Sequence, residues 1–160
     1  MANLNHNDLV LKGCRWLKSR CSIVFSEFAT LSNEIPDVIG WRAGFSILIE
    51  CKVSRSDFLQ DAKKFYRRFP EMGLGKQRYY LCPSGLLHPQ DLPEKWGLLW
   101  AHNRGITIKL SSEHFKHDRT AEIRFLVSML RRTQVRLGKD QPLMEWLRLE
   151  NINLATREKK

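Results

Sequence analysis

Glu50 and Lys52 stand two residues apart at the end of the apolar run Phe45, Ser46, Ile47, Leu48 and Ile49, and Asp37 lies upstream behind Pro36. On a β-strand, residues two apart project from the same face, so Glu50 and Lys52 point together and Cys51 points the other way. A carboxylate and an ammonium emerging from a strand suited to a protein interior call for a role. Arg42, Ala43 and Gly44 read as a short turn between strands at residues 35–41 and 45–53, which makes a hairpin. With its centre near Ala43, Asp37 lies across from Ile49 or Glu50, depending on register. Two carboxylates brought together in this way suit a hard divalent cation, Mg²⁺ or Mn²⁺, which takes oxygen ligands and keeps several waters. The backbone carbonyl of Cys51 offers a further oxygen. Such a cation polarises a phosphodiester and lowers the pKa of a bound water. Lys52 is placed to orient that water and to offset charge building on the phosphate. The competing reading is a plain ion-pair cluster at a strand end. E-x-K alone is common, and its specificity comes from the company of Pro36, Asp37 and the hairpin.

The elements that must hold these residues follow from periodicity. Leu9, Val10, Cys14, Leu17 and Cys21 keep helical spacing over residues 7–20, with Asn5 or Asn7 as cap. Residues 22–29 read as a strand and 31–34 as a polar turn. After Lys52, Ser54 caps a helix with Asp57 three residues on. Phe58, Leu59, Ala62, Phe65, Tyr66 and Phe69 predict one continuous apolar face, and Pro70 stops the helix. Lys63, Lys64, Arg67 and Arg68 fall mostly on its opposite side. A loop over 72–76 leads to a buried strand at 78–82. A second hairpin joins 97–102 to 106–110 around residues 103–105. A long helix over 118–137 carries Ile123, Leu126, Val127, Leu130 and Leu137 on one face, with Gly138 as its stop, and a last short helix covers 142–154. The chain reads as one domain over residues 1–160, with a core at about 6–137 and a helical extension at 138–160.

The formal net charge is +10, which points to a polyanionic partner, nucleic acid first and an anionic membrane surface second. Lys63, Lys64, Arg67 and Arg68 follow the site directly and are placed to track phosphates, with Lys76 and Arg78 extending the same surface. A solvated helix face is the plainer alternative for such a charge run. The four cysteines include no C-x-x-C pair, and their apolar contexts predict buried thiols rather than a structural zinc site. Tyr79, Tyr80 and the tryptophans are expected in the core. No apolar run reaches the length of a membrane span and the first residues carry no signal-peptide core, so a reducing cytoplasm, bacterial or of a phage-infected host, is expected.

Pro36-Asp37, then Glu50-Cys51-Lys52, then a helix, resembles the PD-(D/E)XK nuclease superfamily. The run from Glu50 to Phe58, with Asp61, Lys63, Lys64 and Tyr66 after it, looks like the MmcB-like DNA repair proteins. It also resembles small phage-encoded proteins carrying the segments Gly73-Leu74-Gly75, Arg78-Tyr79-Tyr80-Leu81-Cys82-Pro83 and Trp96-Gly97-Leu98-Leu99. The resemblance covers about residues 22–110. It implies a restriction-endonuclease-like α/β core, a mixed central sheet flanked by helices, with C-terminal helices beyond it. It further implies Asp37 and Glu50 as metal ligands, Lys52 as the catalytic lysine, and Glu27 as the best match for a further acidic ligand. The expected activity is Mg²⁺-dependent hydrolysis of phosphodiester bonds in DNA, in repair or phage DNA processing. Related nucleases often pair, which makes a homodimer an expectation too. Two alternatives stand beside the enzyme: a silent nuclease-fold protein that grips nucleic acid without cutting it, and a phage-type protein that binds a host protein through residues 118–155.

Overall fold

Capping chemistry at Asn5 starts the first element. In the computed structural model, which describes residues 4–26 and 34–136, helix α1 spans His6–Lys18. The Asn5 side chain accepts from the Asp8 N–H at 2.9 Å, and the Asp8 carboxylate accepts from the Asn5 N–H at 3.0 Å. This reciprocal pair satisfies two donors that a bare helix end would leave open. Leu9, Val10 and Leu17 are buried, as their spacing predicts. Strand β1 is Ile23–Ser26, within the predicted 22–29. Glu27 lies outside the described residues, as do Leu137, Gly138 and the predicted last helix.

The hairpin forms as the turn residues require. Strands β2 (Val38–Arg42) and β3 (Phe45–Cys51) run antiparallel, joined by Ala43 and Gly44. Gly44 has φ +68°, a left-handed conformation that costs glycine least. The register pairs Arg42 with Phe45 and Val38 with Ile49. Continued one residue outward, it sets Asp37 opposite Glu50, the second of the two alternatives open to the sequence.

Beyond β3 the chain crosses over through α2 (Arg55–Asp61), α3 (Phe65–Arg68) and a 3₁₀ turn at Pro70–Met72. It returns as β4 (Gln77–Pro83), parallel to β3, and β5 (Gly97–His102) adds parallel to β4. Strand β6 (Gly105–Leu110) closes an antiparallel hairpin with β5. The result is an α/β fold with a six-stranded mixed sheet in the order β1-β2-β3-β4-β5-β6.

Alternation along β3 and β4 separates two faces. Ile47, Ile49, Cys51, Tyr79 and Leu81 join Leu9, Val10, Leu17 and Val38 in an apolar core on the α1 side. Ser46, Glu50, Arg78 and Tyr80 are buried on the other face. Cys21, Cys51 and Cys82 are buried free thiols and Cys14 is half-buried, in keeping with their apolar contexts.

The chain parts into two compact units, Met1–Glu122 and Ile123–Lys160. This division falls inside helix α4 (Arg119–Arg136). The predicted apolar face of that helix is corrected: Ile123, Val127 and Leu130 are exposed, whereas Phe125 and Met129 are buried. The predicted stripe follows the aliphatic residues, whereas the large Phe125 and Met129 occupy the buried side. No helix among the described residues is long and apolar enough to cross a membrane.

Candidate active site

The continuous helix predicted after Lys52 is broken, and the break builds the site. Ser54 caps α2 as expected, its hydroxyl accepting from the Asp57 N–H at 3.2 Å. The helix stops at Asp61, and Lys64 takes an extended conformation, φ −62° and ψ 143°, before α3 begins. Phe58 and Asp61, three residues apart on α2, are both buried. Asp61 therefore reaches the polar face of the sheet, where Tyr80 donates to its Oδ2 at 2.7 Å. The Tyr80 ring stacks on Trp96 with centroids 4.2 Å apart and meets Phe58 edge-on at 5.0 Å.

Around Asp61 the cations gather. Lys52 Nζ lies 3.1 Å from Oδ1, Lys64 Nζ 2.7 Å from the same oxygen, and Arg67 Nε 2.6 Å from Oδ2. Burial alone would raise the Asp61 carboxyl, but Arg67 and the two lysines more than offset this and hold it well below the usual carboxylate range. Glu50 shares the same three cations at longer range: Lys52 at 3.4 Å, Lys64 at 3.2 Å and Arg67 at 3.3 Å. Arg67 also meets Glu34 at 3.3 Å, and its guanidinium lies over the Trp96 ring at 4.7 Å. Glu34 is buried and accepts from the Leu74 N–H at 2.6 Å. Burial pushes its carboxyl up, against the pull of that bond and of Arg67.

Asp37 sits at the open end of this cluster. Its Oδ2 accepts from the Cys51 N–H at 2.6 Å, which ties the carboxylate to the end of β3. Its Oδ1 is 3.7 Å from His6 Nε2 on α1. Burial, and then the charge of Glu50, push Asp37 up to about 6. The charge of Glu50 thus disfavours the ionised form of Asp37, which a cation near both would relieve.

Glu50 and Lys52 thus meet at 3.4 Å, and Asp37 lies close enough to both to feel their charges. The phosphate-tracking surface is corrected in part. The Arg67 side chain is only 4% exposed and points into the carboxylate cluster. Arg78 is fully buried, donating to the carbonyls of Gly75 and Pro70 and lying over Phe115, and burial lowers its pKa to about 10. The break after Asp61 turns Arg67 inward, and strand alternation turns Arg78 inward. Lys64 is half-exposed but engaged with Glu50 and Asp61, and Lys76 is half-buried with its ammonium over Phe45. Lys63 and Arg68 remain exposed.

Sequence reasoning missed Asp61 and Glu34 as members of the cluster. The signal for Asp61 was an acid on the apolar face of α2, in phase with Phe58. Glu34 carried no signal beyond its nearness to Pro36 and Asp37.

Among the described residues, no group of three or more His, Cys, Asp or Glu side chains is arranged to hold a metal ion. The donors available are two carboxylates, Asp37 and Glu50, with the Cys51 carbonyl. This sparse all-oxygen set fits Mg²⁺, which keeps several waters when bound. The longer cation contacts of Glu50, compared with those of Asp61, leave Glu50 the more available carboxylate.

No protein-family model and no curated protein matches the chain. Among solved structures it is similar to the SPO1766 protein of unknown function from Silicibacter pomeroyi, with TM-score 0.63 and 23% identity. The match covers 89% of this chain and 99% of that one. At this identity the likeness shows a shared fold.

Proposed function

We propose that this chain is a Mg²⁺- or Mn²⁺-dependent nuclease of the PD-(D/E)XK type that hydrolyses phosphodiester bonds in DNA. The observation that carries the reading is the hairpin register, which pairs Val38 with Ile49 and so leaves Asp37 and Glu50 as the next residues on the two strands, with Lys52 3.4 Å from Glu50. Asp37, Glu50 and the Cys51 carbonyl would hold the metal, which when bound supplies Lewis acidity and an acidified water. Lys52 is fixed by Asp61 and reaches Glu50, so it is positioned to hold that water or to stabilise charge on the phosphate. Asp61, Tyr80 and Arg67 act as positioning residues that keep Lys52 and Glu50 oriented. The test is incubation of labelled single-stranded, duplex and branched DNA with Mg²⁺ or Mn²⁺. Cleavage that Lys52→Ala abolishes is expected; no cleavage of any substrate, or equal cleavage by that variant, overturns the reading.

A second reading rests on the crowding of Glu50 by Lys52, Lys64 and Arg67, which already supply positive charge where a metal would. On it, the chain binds nucleic acid without cutting. Salt-dependent binding that ignores Mg²⁺ and survives Asp37→Ala separates this from the enzyme.

A further inference from the structure

The break between α2 and α3 leaves an aromatic surface that neither the apolar core nor the charged cluster uses. Phe65 and Phe69 are 50% and 45% exposed, and their rings lie 4.9 Å apart. Tyr66 meets Phe65 edge-on at 5.2 Å. Phe65 and Tyr66, with Ile35 and Met72, wall a cavity of about 630 Å³ that also contains Glu34, Glu50, Lys64 and Arg67. A volume of this order suits a small ligand or one unit of a larger one.

The chemistry of the cavity is divided. Its wall is aromatic and apolar, and its charged members offer hydrogen-bond donors and acceptors. An aliphatic chain would fill the wall but strand Glu50 and Lys64 against hydrocarbon, at a desolvation cost. A nucleobase has π faces for the rings and a polar edge for the charged groups. Lys63 and Arg68, both exposed, flank the aromatic residues and complement a phosphate backbone.

We propose that this cavity receives an unstacked nucleobase of a single-stranded nucleic acid, with Phe65 as its stacking platform. The adjoining phosphate is then delivered to Glu50 and Lys52. The inference rests on the nuclease reading of that site and sharpens it, naming a single-stranded or locally unpaired substrate.

The test is fluorescence anisotropy with a labelled oligothymidylate and a blunt duplex of equal length, in EDTA, across a salt series. The wild-type chain binds the single strand more tightly than the duplex. Phe65→Ala lowers single-strand affinity about tenfold, and Phe65→Tyr retains it. Because the ring carries no charge, Phe65→Ala leaves the slope of log affinity against log salt unchanged, whereas Lys63→Ala reduces that slope by about 1. Phe65 is half-exposed, so its truncation does not threaten the fold. Unchanged single-strand affinity in Phe65→Ala, equal binding of the duplex, or no binding at low salt overturns the proposal. So does a dimer in sedimentation that Phe65→Ala dissociates without affecting oligonucleotide binding, which assigns the face to a second copy. The two readings fail separately. Lys52-dependent cleavage without Phe65-dependent binding sinks the base site alone, and Phe65-dependent binding without cleavage sinks the nuclease alone.

Discussion

The two faces of β3 and β4 are buried to similar depth, one by apolar contact and the other by buried charges set among Leu48, Phe58, Tyr80 and Trp96. Toward α1, Ile47, Ile49, Cys51, Tyr79 and Leu81 pack against Leu9, Val10 and Leu17, and contact is apolar throughout. On the other face Ser46, Glu50, Arg78 and Tyr80 are as well hidden from solvent, yet Ser46 meets Glu122, Tyr80 meets Asp61, and Glu50 meets Arg67. The first face gains from burial itself, about 25 cal/mol per Å². The charges of the second must recover the cost of their desolvation through partners, so they contribute little net stability while fixing geometry closely. That is the property a catalytic site needs: Lys52 and Glu50 cannot wander because their partners would be left unpaired.

The sharpest way to break this contrast is Asp61→Ala. It leaves Lys52 and Arg67 buried without their tightest partner, and a loss of about 3–5 kcal/mol is expected in chemical denaturation. A loss below 1 kcal/mol would mean that the cations relax freely and the face is not rigid. On the apolar side, Leu81→Ala should cost about 3 kcal/mol through lost burial and a cavity. The two variants should also differ with pH. The folded-state pKa of Asp61 is lowered, so its contribution is present above the unfolded value near 4 and is lost as pH falls below it toward the depressed folded value. The deficit of Asp61→Ala should therefore shrink on acidification while that of Leu81→Ala stays constant.

A smaller effect of opposite sign is expected at Asp37. Its carboxyl is raised to about 6, so the folded state holds a proton that the unfolded state has released between about pH 4 and 6. Stability from this group is full below that window and lost as pH rises through about 6. Asp37→Asn, which can still accept from the Cys51 N–H, should stabilise the metal-free protein above pH 6, by on the order of 1 kcal/mol given the partial exposure of the site and the lost attraction to Lys52 and His6. Melting curves of the two proteins that coincide at pH 7.5 would show that the ionised Asp37 carboxylate is not destabilised in the folded protein.

The legible parts of the fold were those in which one period governs one buried face. The α1 stripe, the alternation in β3 and the Ala43-Gly44 turn each specify a local structure, and together they place Asp37, Glu50 and Lys52. The helix after Ser54 was misread because its apolar residues keep helical phase straight through residue 64. Asp61 and Arg67 instead turn toward Glu50 and Tyr80, a tertiary demand with no local period, and Phe65 and Phe69 are left exposed. Arg67 and Arg78 looked like surface charge for the same reason: their carboxylate, carbonyl and aromatic partners are supplied by other elements. In α4, the aliphatic stripe through Ile123, Val127 and Leu130 misled because Phe125 and Met129 hold the buried side.

The central claim is that Asp37 and Glu50 form one divalent-cation site. It is tested most directly by titrating Mn²⁺ into the protein and following free Mn²⁺ by electron paramagnetic resonance, for the wild type and Asp37→Asn. One saturable site per chain, displaced by Mg²⁺ and lost in Asp37→Asn, is the predicted result. No saturable binding, or binding that Asp37→Asn leaves unchanged, would contradict it.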